Sequence, residues 1–573
     1  MLRSLTVAFC LLAAPVLAQT QADPEAATGL TAKPLVTAQD YMIVAAHPRA
    51  SQAGADVLAA GGSAADAAIA TLLVLNVVEP QSSGIGGGAF ALVHGPDGLT
   101  SWDARETAPA GATPDMFLRD GEPMPFLQAV ASGRSVGVPG LVRLMEALHA
   151  RHGKLRWADL FQRAIDIARD GFPVSPRMAA SIESSAGRLA EADAGQVFLP
   201  DGAAPAEGVV FKQPALAATL EAIAAEGADG FYSGPVAEQI VAAVTAGDVG
   251  GSMTLQDLAD YQVVERPAVC HAFKLYRICG MGPPSSGATT VGQILMLLDR
   301  FKPSDWALEE DRLWHLFAEA SRLAYADRAR YLADSDFVKV PIAGLLDPSY
   351  MDQRARLIPH VEASTEQATA GDPPWREGHL YAPDLQEDLP GTTHLSVIDG
   401  DGLAISLTAS IETAFGSGRM AAGFLLNNQL TDFSFRPAAE DGRPIANAIA
   451  AGKRPRSSMA PTMVYQDDAL VVLAGSPGGS RIPEYVAQSL LAVLGFDLDP
   501  AEAAALPHVS HRNRGGLAVE PEIGATIRDG LAARGHQVEE RPMTSGLHLI
   551  RIGPNGVLEG GADPRREGVA IGR

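Results

Sequence analysis

Cysteine is scarce in this chain, whose 573 residues include three. Cys10 lies near the N-terminus, and Cys270 and Cys279 flank the segment CHAFKLYRIC, whose ends an antiparallel hairpin would bring together. An oxidising compartment would permit a disulfide between them, and two unpaired buried thiols fit the same spacing equally well. A structural zinc site needs four ligands, which one cysteine pair without a second pair does not supply.

Positive charge is also in short supply. The chain carries 44 Lys and Arg against 67 Asp and Glu, a formal net charge of −23 at pH 7. Binding to a phosphate backbone requires basic residues gathered on one face, so this balance disfavours nucleic acid as a partner. Hydrophobic residues make up 47% of the chain and charged residues 19%, which predicts a globular protein with a large core.

Long apolar runs are missing, apart from Leu5–Val16 near the N-terminus. This run follows Arg3 and leads to small residues ending at Ala18, a pattern typical of a secretory signal peptide. A buried helix or a membrane anchor is the alternative, but the run is shorter than the roughly 20 residues that a membrane span needs. We therefore expect a signal peptide over residues 1–18, no membrane span, and a mature protein that is periplasmic or secreted.

Helical periodicity dominates the first two thirds of the chain, and strand patterns follow it. Alanine- and leucine-rich spacing predicts two helices between Ala45 and Val78, and the strongest later helix is predicted over Leu308–Leu332. From Thr392 onward, alternating residues predict hairpins with helices between them. Strands with helices available for both faces predict a layered α/β protein. The predicted hairpin turns lie at residues 399–402, 466–468 and 554–556.

Three motifs resemble known sites without the context that those sites require. The glycine loop GIGGGA at residues 84–89 is preceded by a helix and followed by a strand, the reverse of a dinucleotide-binding loop. Ser135 lies in a G-x-S-x-G sequence, but the strand before it is weak and Pro139 interrupts the helix that should follow. His508 and His511 have no acidic third ligand nearby in sequence, which favours a structural role over metal binding.

Thr392 follows Gly391 in the stretch LPGTTHLSV, at the start of a predicted strand. A threonine hydroxyl is a weak nucleophile that needs an adjacent base. Cleavage between Gly391 and Thr392 would create an α-amino group, with an ordinary pKa of about 7.7–8.0, that can act as this base. The small Gly391 leaves the peptide bond open to attack, and the preceding segment Glu362–Leu389 is predicted to be an exposed, mobile linker. An ordinary strand start fits the same residues.

Three further motifs could complete such a site. The stretch AGSPGGSRIPE, Ala474–Glu484, passes from a strand through glycines into a helix, and backbone N–H groups at such a turn can stabilise an acyl-transfer oxyanion. A simple strand-to-helix turn is the alternative reading. LLNNQLTDF supplies an acid and an amide after an apolar strand, and KRPRSSMAPT supplies hydroxyls before another. A substrate with an α-amino and an α-carboxylate group needs an acid for the first and Arg or hydroxyl donors for the second.

Taken together and in order, these motifs resemble the gamma-glutamyltransferase family (gamma-glutamyltranspeptidases) of N-terminal nucleophile hydrolases. The similarity runs from about Met42 to Pro564. It implies an α/β fold, the αββα four-layer sandwich, and autocatalytic cleavage before Thr392. The products would be a large subunit, 19–391, and a small subunit, 392–573, that remain interlocked. The strongest stretches are AGGSAADAAIA, GGGAFAL, WDARETAPA, GPPSSGATT, TTHLSV, FGSG, LLNNQLTDFS, KRPRSSMAPT, GSPGGSRI and GADPR.

The resemblance also implies roles for individual residues. Thr392 would be both the autoprocessing residue and the nucleophile, with no metal or organic cofactor. Backbone N–H groups would bind the oxyanion, an arginine with two serines would hold the substrate α-carboxylate, and an acid with an amide would receive the α-amino group. Gly478 and Gly479 would supply the N–H groups for the oxyanion. Arg105, Ser457 and Ser458 would hold the α-carboxylate, and Asp432 and Gln429 would receive the α-amino group.

The chain departs from the family pattern at two positions and in one segment. Ser410 stands where many relatives carry a threonine that supports the nucleophile, and the change keeps the hydroxyl. Glu412 stands where an asparagine usually contacts the head group of the substrate, and a carboxylate there favours an ammonium and repels a carboxylate. The segment between Phe433 and Lys453, where some relatives have a lid, is short and lacks tyrosine, which predicts weaker lid closure.

The sequence thus predicts an exported γ-glutamyl hydrolase and transferase that acts on glutathione-like amides, with an amino acid or peptide as acceptor. One rival is a related cephalosporin or glutaryl acylase that uses the same nucleophile, but Asp432 would be a costly unpaired acid in its pocket. Another rival is an unprocessed homologue that acts as a binding protein, which the Gly391-Thr392 sequence disfavours.

Overall fold

The computed structural model describes residues 29–302, 307–374, 380–384, 386 and 391–573. The predicted signal peptide, residues 1–18, lies outside these ranges. Within them, no helix combines the length and the apolar character that a membrane crossing requires.

Two seven-stranded sheets, in which all neighbouring strands are antiparallel, lie at the centre of the described chain. Sheet I has the order β1 (Val36–Ala38), β22 (Leu558–Ala562), β21 (His548–Ile552), β17 (Ala469–Ala474), β16 (Thr462–Gln466), β11 (Tyr276–Gly280) and β10 (Val269–Phe273). Sheet II has the order β23 (Val569–Gly572), β2 (Met42–Ala45), β12 (Thr392–Ile398), β13 (Ala404–Ser410), β3 (Gly88–Gly95), β4 (Gly98–Ala104) and β9 (Val264–Arg266). Short strands outside these sheets are β5 (Leu118–Arg119), β6 (Glu122–Pro123), β7 (Phe172–Pro173), β8 (Val210–Phe211), β14 (Met420–Ala421), β15 (Phe424–Leu425), β18 (Val509–Ser510), β19 (Leu517–Val519) and β20 (Val538–Glu540).

Helices connect and cover the sheets. Before residue 200 they are α1 (Pro48–Ala59), α2 (Ala64–Val78), α3 (Phe126–Ala131), α4 (Leu141–His152), α5 (Trp157–Asp170), α6 (Pro176–Ala190) and α7 (Gly195–Phe198). From there to residue 391 they are α8 (Pro214–Glu226), α9 (Asp229–Tyr232), α10 (Gly234–Thr245), α11 (Leu255–Ala259), α12 (Gly287–Asp299), α13 (Asp311–Tyr331), α14 (Ile342–Leu345) and α15 (Pro348–Ala355). The remaining helices are α16 (Ile482–Phe496), α17 (Pro500–Ala505) and α18 (Ala525–Ala533).

Three hydrophobic clusters define four layers. The alternation of side chains along β2 shows the arrangement, because successive residues of a strand point to opposite faces. Ile43 packs with the helices that cover sheet II, including α2 and α5, whereas Met42 and Val44 pack between the two sheets. A third cluster joins sheet I to α12, α13 and α16. The order is therefore helices, sheet II, sheet I, helices, which confirms the predicted αββα sandwich.

Both sheets combine strands from before and after residue 391. In sheet II, β12 and β13 lie between β2 and β3, and in sheet I, β16 pairs with β11. A chain cut before Thr392 would therefore leave two pieces joined by backbone hydrogen bonds across both sheets.

The hairpin of β10 and β11 decides between the disulfide and the two unpaired thiols that the sequence leaves open. Cys270 and Cys279 lie directly opposite each other in its register and form a disulfide. The hairpin turns predicted after Thr392 and the two helices between Ala45 and Val78 are confirmed, with helix ends shifted by a few residues at most.

The prediction that Glu362–Leu389 is an exposed linker is wrong for several of its described residues. Backbone N–H groups of this segment donate to the body of the protein, as in Gly371 to the Asp327 carboxylate at 2.8 Å and Asp384 to the Ala329 carbonyl at 2.8 Å. Ala382 and Asp384 are buried. The Pro- and Gly-rich composition that suggested mobility instead allows the chain to follow α13 closely while its amides find partners there.

Candidate active site

Thr392 is the first residue of β12 and is 4% exposed. Further along this strand, the His394 ring stacks on His548 of sheet I, and the Ser396 hydroxyl donates to the His548 carbonyl at 3.0 Å. Because side chains alternate along a strand, Thr392 belongs to the same face as His394 and Ser396. Its side chain therefore lies at the end of β12 on the side that faces sheet I.

A chain of hydrogen bonds links the Thr392 hydroxyl, through the Ser410 hydroxyl, to the peptide bond that precedes Thr392. The two residues are register partners in β12 and β13, and Thr392 Oγ1 donates to Ser410 Oγ at 3.3 Å. Ser410 Oγ donates to the Gly391 carbonyl at 2.8 Å and accepts the Glu412 N–H at 2.8 Å. A donor on that carbonyl stabilises negative charge on its oxygen, as attack by a neighbouring hydroxyl requires.

Gly391 occupies a position with no room for a side chain. A Cβ there would lie 2.4 Å from the Glu412 carbonyl oxygen and 2.6 Å from the Thr413 carbonyl carbon. Both obstacles are backbone atoms, which cannot swing away as a side chain can. The chain after β13 thus presses directly against the predicted cleavage site.

The glycine turn after β17 is held next to this strand start by a histidine and an arginine. A Cβ on Gly475 would lie 2.1 Å from His394 Cε1, so the turn begins in contact with β12. Arg566 donates through Nη1 to the Thr392 carbonyl at 3.2 Å. A Cβ on Gly546 would lie 2.6 Å from Pro477 Cγ and 2.7 Å from Arg566 Cδ, which places Pro477 beside this arginine.

The predicted oxyanion pair adopts conformations that favour glycine. Gly478 has φ 136° and Gly479 has φ 58°, and a Cβ on Gly478 would lie 2.4 Å from Tyr485 Cε2. The pair opens a 3₁₀ turn, Gly479–Arg481, that leads into α16. A turn of this kind exposes successive backbone N–H groups on one side, which suits the binding of an oxyanion.

Arg105 and Asp432 form a buried ion pair. Arg105 Nη2 donates to Asp432 Oδ2 and, at 3.0 Å, to the Arg456 carbonyl. Gln429 Nε2 donates to the same Asp432 oxygen at 2.9 Å. The structure thus brings together the residues predicted to receive the two charged groups of an α-amino acid.

Glu106 lies between this ion pair and Gly88, the first residue of β3. Its Oε2 lies 3.8 Å from Arg105 Nη1, and a Cβ on Gly88 would lie 2.6 Å from the same oxygen. Gly88 lies in β3 and is the register partner of Ser410, so the carboxyl of Glu106 lies against β3, next to the strand that carries Ser410. Burial raises the pKa of Glu106 to about 8, against the opposing effect of Arg105.

Glu412 is buried in a left-handed backbone conformation, with φ 81°. Asn428 Nδ2 donates to its carboxylate at 2.6 Å, and Asn428 Oδ1 accepts the N–H and the hydroxyl of Thr413 at 3.0 and 2.9 Å. Asn428 immediately precedes Gln429. The carboxylate that departs from the family pattern is therefore hydrogen-bonded next to the predicted α-amino site.

Ser457 and Ser458 directly follow Pro455 and Arg456, whose carbonyls accept hydrogen bonds from Arg105. Arg105 Nε donates to the Pro455 carbonyl at 3.2 Å, and Arg328 Nη2 donates to Ser458 Oγ at 2.6 Å. The hydroxyl of Ser457 accepts the Met459 N–H at 3.1 Å. Thus the hydroxyl of Ser458 is hydrogen-bonded to the guanidinium of Arg328.

Sequence reasoning did not identify four residues that hold this arrangement. Glu106 and Asn428 each lie next to a predicted site residue within a quoted motif, and Arg566 follows the GADPR motif directly. Arg328 lies in α13, whose apolar periodicity indicated only a packed helix. Its partnership with Ser458 crosses 130 residues of sequence and left no local signal.

Ser135 and His508, which the sequence analysis also considered, make hydrogen bonds elsewhere in the molecule. The Ser135 hydroxyl donates to the Val130 and Ser132 carbonyls, both at 2.8 Å, as a turn serine does. His508 Nε2 contacts Ser545 Oγ at 2.6 Å, in a structural role.

One group of described residues could hold a metal ion. His315, Glu319 and His536 each offer a ligand atom within 4.8 Å of the others. His315 Nδ1 already contacts His536 Nε2 at 2.8 Å, and Glu319 is paired with Arg322 at 2.5 Å. These contacts describe a hydrogen-bonded cluster, and the strand start at Thr392 takes no part in it.

The fold has a close structural relative. The cephalosporin acylase from Bacillus halodurans superposes with a TM-score of 0.83 at 28% sequence identity, covering 96% of this chain and 99% of that chain. With the two sheets between helical layers, this likeness shows the fold of the N-terminal nucleophile hydrolases. Residues 50–573 also match the sequence model described as Gamma-glutamyltranspeptidase. The chain belongs to the gamma-glutamyltranspeptidase family of enzymes.

Curated relatives of two kinds cover nearly the whole chain. The glutathione hydrolase proenzyme of Bacillus subtilis (strain 168) is 38% identical over 549 residues, 93% of this chain and 92% of the relative. The acylase ACY 1 proenzyme of Pseudomonas sp. (strain SE83) is 35% identical over 546 residues, 92% of this chain and 93% of the relative.

Proposed function

We propose that this protein is an exported γ-glutamyl hydrolase and transferase that cleaves itself before Thr392 and then uses Thr392 as its nucleophile. The observation that carries the proposal is the chain of hydrogen bonds that runs from the Thr392 hydroxyl to the Ser410 hydroxyl and from there to the Gly391 carbonyl. The Bacillus subtilis relative, a glutathione hydrolase proenzyme, supports both the activity and the processing. The subunits would be residues 19–391 and 392–573, in the periplasm or outside the cell.

Processing begins with attack of Thr392 Oγ1 on the carbonyl carbon of Gly391. A C–O bond forms, the Gly391–Thr392 C–N bond breaks, and the hydroxyl proton passes to the nitrogen, which becomes the α-amino group of Thr392. Ser410 stabilises the charge on the Gly391 oxygen by its hydrogen bond. Water then hydrolyses the resulting ester and leaves Gly391 with a carboxylate.

In turnover, the freed amine of Thr392 accepts the proton of its own hydroxyl while Oγ1 attacks the γ-carbonyl carbon of the substrate. Backbone N–H groups at Gly478 and Gly479 stabilise the tetrahedral oxyanion. The amine returns the proton to the leaving nitrogen as the C–N bond breaks, which leaves a γ-glutamyl ester on Thr392. Water or an acceptor amine then attacks that ester and releases Thr392.

The charged end of the site suits a zwitterionic head group. Arg105 with the hydroxyls of Ser457 and Ser458 would bind the α-carboxylate, and Asp432 with Gln429 would bind the α-ammonium. In the structure Arg105 and Asp432 bind each other, so the substrate enters between two charges already oriented. Glu412 adds a second carboxylate on the ammonium side, positioned by Asn428.

A cephalosporin or glutaryl acylase is the second candidate, favoured by the likeness to acylases in both sequence and structure. A glutaryl group has no α-ammonium, so it would gain nothing from the Asp432 and Glu412 carboxylates, whereas the ammonium of a γ-glutamyl group would be attracted to both. We therefore rank the γ-glutamyl activity above it, and an unprocessed binding protein last.

The decisive experiment follows processing and turnover together. Purified protein should separate into two bands on a denaturing gel, and N-terminal sequencing of the smaller band should begin at Thr392. It should release the chromophore of a γ-glutamyl anilide and act weakly on a glutaryl amide. Thr392→Ala should remain one band and lose turnover entirely, because it lacks the attacking oxygen.

Three results would contradict the proposal. Wild-type protein that stays uncut on prolonged incubation would favour a binding protein, and a preference for the glutaryl amide would favour the acylase. Activity that persists in folded Thr392→Ala protein would require another nucleophile.

A further inference from the structure

The predicted oxyanion turn is built from two residues that restrain their own backbone very little. Glycine has no Cβ, so the peptide group between Gly478 and Gly479 can rotate more easily than one between residues with side chains. That peptide group carries the Gly479 N–H, one of the proposed oxyanion donors. If it turned over, the Gly478 carbonyl would point at the oxyanion instead and would repel its charge. Contacts from outside the glycine pair therefore have to hold this peptide group in place.

Tyr485 supplies such a contact. It lies in the first turn of α16 and is 1% exposed. A Cβ built on Gly478 would lie 2.4 Å from Tyr485 Cε2 and 2.9 Å from Tyr485 Cδ2. The edge of the tyrosine ring thus occupies the space that a side chain on Gly478 would take. A second contact, from the Arg481 N–H to the Gly478 carbonyl, is a long hydrogen bond at 3.3 Å, so the ring is the firmer of the two restraints.

The Tyr485 ring is itself held from behind by buried groups. Its centroid lies 4.3 Å from that of the His508 ring, with 34° between the ring planes. His508 Nε2 contacts Ser545 Oγ at 2.6 Å, and the same hydroxyl donates to the Asp563 carboxylate. His508 and Asp563 are fully buried. Tyr485 therefore cannot move away from Gly478 without disturbing a buried hydrogen-bonded chain.

The segment that contains Ser545 also reaches the proposed nucleophile. The Ser545 carbonyl accepts a hydrogen bond from Arg566 Nε at 3.1 Å, and Arg566 Nη1 donates to the Thr392 carbonyl at 3.2 Å. The Gly546 N–H donates to Ser476 Oγ at 3.1 Å, in the turn after β17. One buried segment thus contacts the groups that position both the attacking oxygen and the oxyanion turn.

We propose that Tyr485 is the positioning residue of the oxyanion turn, whose ring keeps the peptide group between Gly478 and Gly479 oriented so that its N–H meets the tetrahedral oxyanion. This inference rests on the proposed function and deepens it. Every acyl group passes through such an oxyanion, so the role applies to γ-glutamyl and glutaryl amides alike. Processing does not depend on it, because there the Ser410 hydroxyl binds the Gly391 oxygen.

Three substitutions separate the ring from its hydroxyl and from its volume. Tyr485→Leu keeps an apolar side chain but removes the ring edge, Tyr485→Met fills more of the space with a flexible chain, and Tyr485→Phe keeps the ring. The matched control is Phe161→Leu, which removes a fully buried ring from α5, in the helical layer over sheet II. Thermal midpoints would confirm that each variant is folded.

Two inhibitors separate the transition state from the ground state. Free glutamate occupies the head-group end without forming an oxyanion. A glutamate analogue with a boronic acid in place of the γ-carboxyl group accepts the Thr392 hydroxyl oxygen on boron and becomes a tetrahedral anion, as the transition state does. The inhibition constants of both would be measured beside kcat/KM for a γ-glutamyl anilide and the rate of processing.

Tyr485→Leu and Tyr485→Met should lower kcat/KM by about 10- to 100-fold, because a displaced donor stabilises the transition state less. Affinity for the boronic acid should fall by a similar factor, while affinity for glutamate should stay within about twofold of wild type. Tyr485→Phe should retain most of the activity, and Phe161→Leu should match wild type. All four variants should process at the wild-type rate.

Other patterns would overturn the inference. Equal losses of affinity for glutamate and the boronic acid, or slowed processing, would give Tyr485 a general structural role. A loss in Tyr485→Phe as large as in Tyr485→Leu would assign the effect to the hydroxyl, and unchanged kcat/KM in folded Tyr485→Leu and Tyr485→Met would show that the turn is held without the ring. A wild-type preference for the glutaryl amide would contradict the proposed function alone, since the same comparison can be made on that substrate.

Discussion

The two ends of the candidate site are built by different means. At the nucleophile end (Gly391, Thr392, Ser410), neutral hydroxyls and backbone groups meet, and the strand register of β12 and β13 sets their positions. At the head-group end (Arg105, Asp432), a buried ion pair connects segments more than 300 residues apart. Position is fixed by backbone geometry at the first end and by charge at the second.

This difference predicts which substitutions each end tolerates. A change of volume should harm the nucleophile end, where backbone atoms surround Gly391. A change of charge at constant volume should harm the head-group end, because the partner left behind would be a buried, uncompensated ion.

Gly391→Ala should give the largest effect. Its methyl group would lie 2.4 Å from the Glu412 carbonyl oxygen, so the cleavage site or the chain after β13 must move away from Ser410. We expect the variant to remain a single band on a denaturing gel, with processing slowed at least a hundredfold, as misplacement by about 1 Å can cause. Gly187→Ala, in α6 with open space around the Cβ position, is the control and should process normally. Normal processing of Gly391→Ala would show that backbone geometry does not set the position of this end.

Asp432→Asn should have the next largest effect. The amide keeps the volume but removes the charge that pairs with Arg105 and, in the proposed function, with the substrate ammonium. We expect kcat/KM for a γ-glutamyl anilide to fall by about 10²- to 10³-fold, while processing at Thr392 continues. Hydrolysis of a glutaryl amide should fall much less, because that substrate has no ammonium.

The matched control for Asp432→Asn is Asp384→Asn, another buried carboxylate, which lies 3.0 Å from Arg456. This change should affect both substrates by the same factor. If Asp432→Asn also lowered both equally, its role would be structural, and the contrast between the two ends of the site would lose its basis.

Local motifs made much of the site predictable from the sequence. Thr392 and Gly478 each lie in a short stretch whose chemistry depends on neighbouring residues, a glycine before a hydroxyl or a glycine pair before a helix. Hairpins around tight turns were predictable for the same reason, since the residues that decide them are adjacent. The roles assigned to these residues stay predictions that the experiments above would test.

Contacts between distant segments were not predictable. Arg566 reaches the Thr392 carbonyl across 174 residues, and Arg328 reaches Ser458 across 130. Composition also misled, because the segment 362–389 has the residues of a linker while amides such as that of Gly371 are bonded to α13. Sequence patterns report local preference, whereas these contacts depend on which buried donors and acceptors the fold brings together.

Glu106→Gln should give the smallest effect, on stability, and it concerns the carboxyl between Arg105 of the head-group end and Gly88, the register partner of Ser410. Burial raises the pKa of Glu106 to about 8, whereas an unfolded glutamate titrates near 4.5. Between these pH values the folded protein holds a proton that the unfolded chain has lost, so this group lowers the free energy of unfolding as pH rises through that window, by up to about 1.4 kcal/mol per pH unit. The glutamine variant should therefore show a flatter dependence of its thermal midpoint between pH 5 and 8 than wild type, with the exposed change Glu183→Gln as control. An unchanged slope would mean that Glu106 is ionised throughout and that a charge lies beside the strand that carries Ser410, where we infer only strand register.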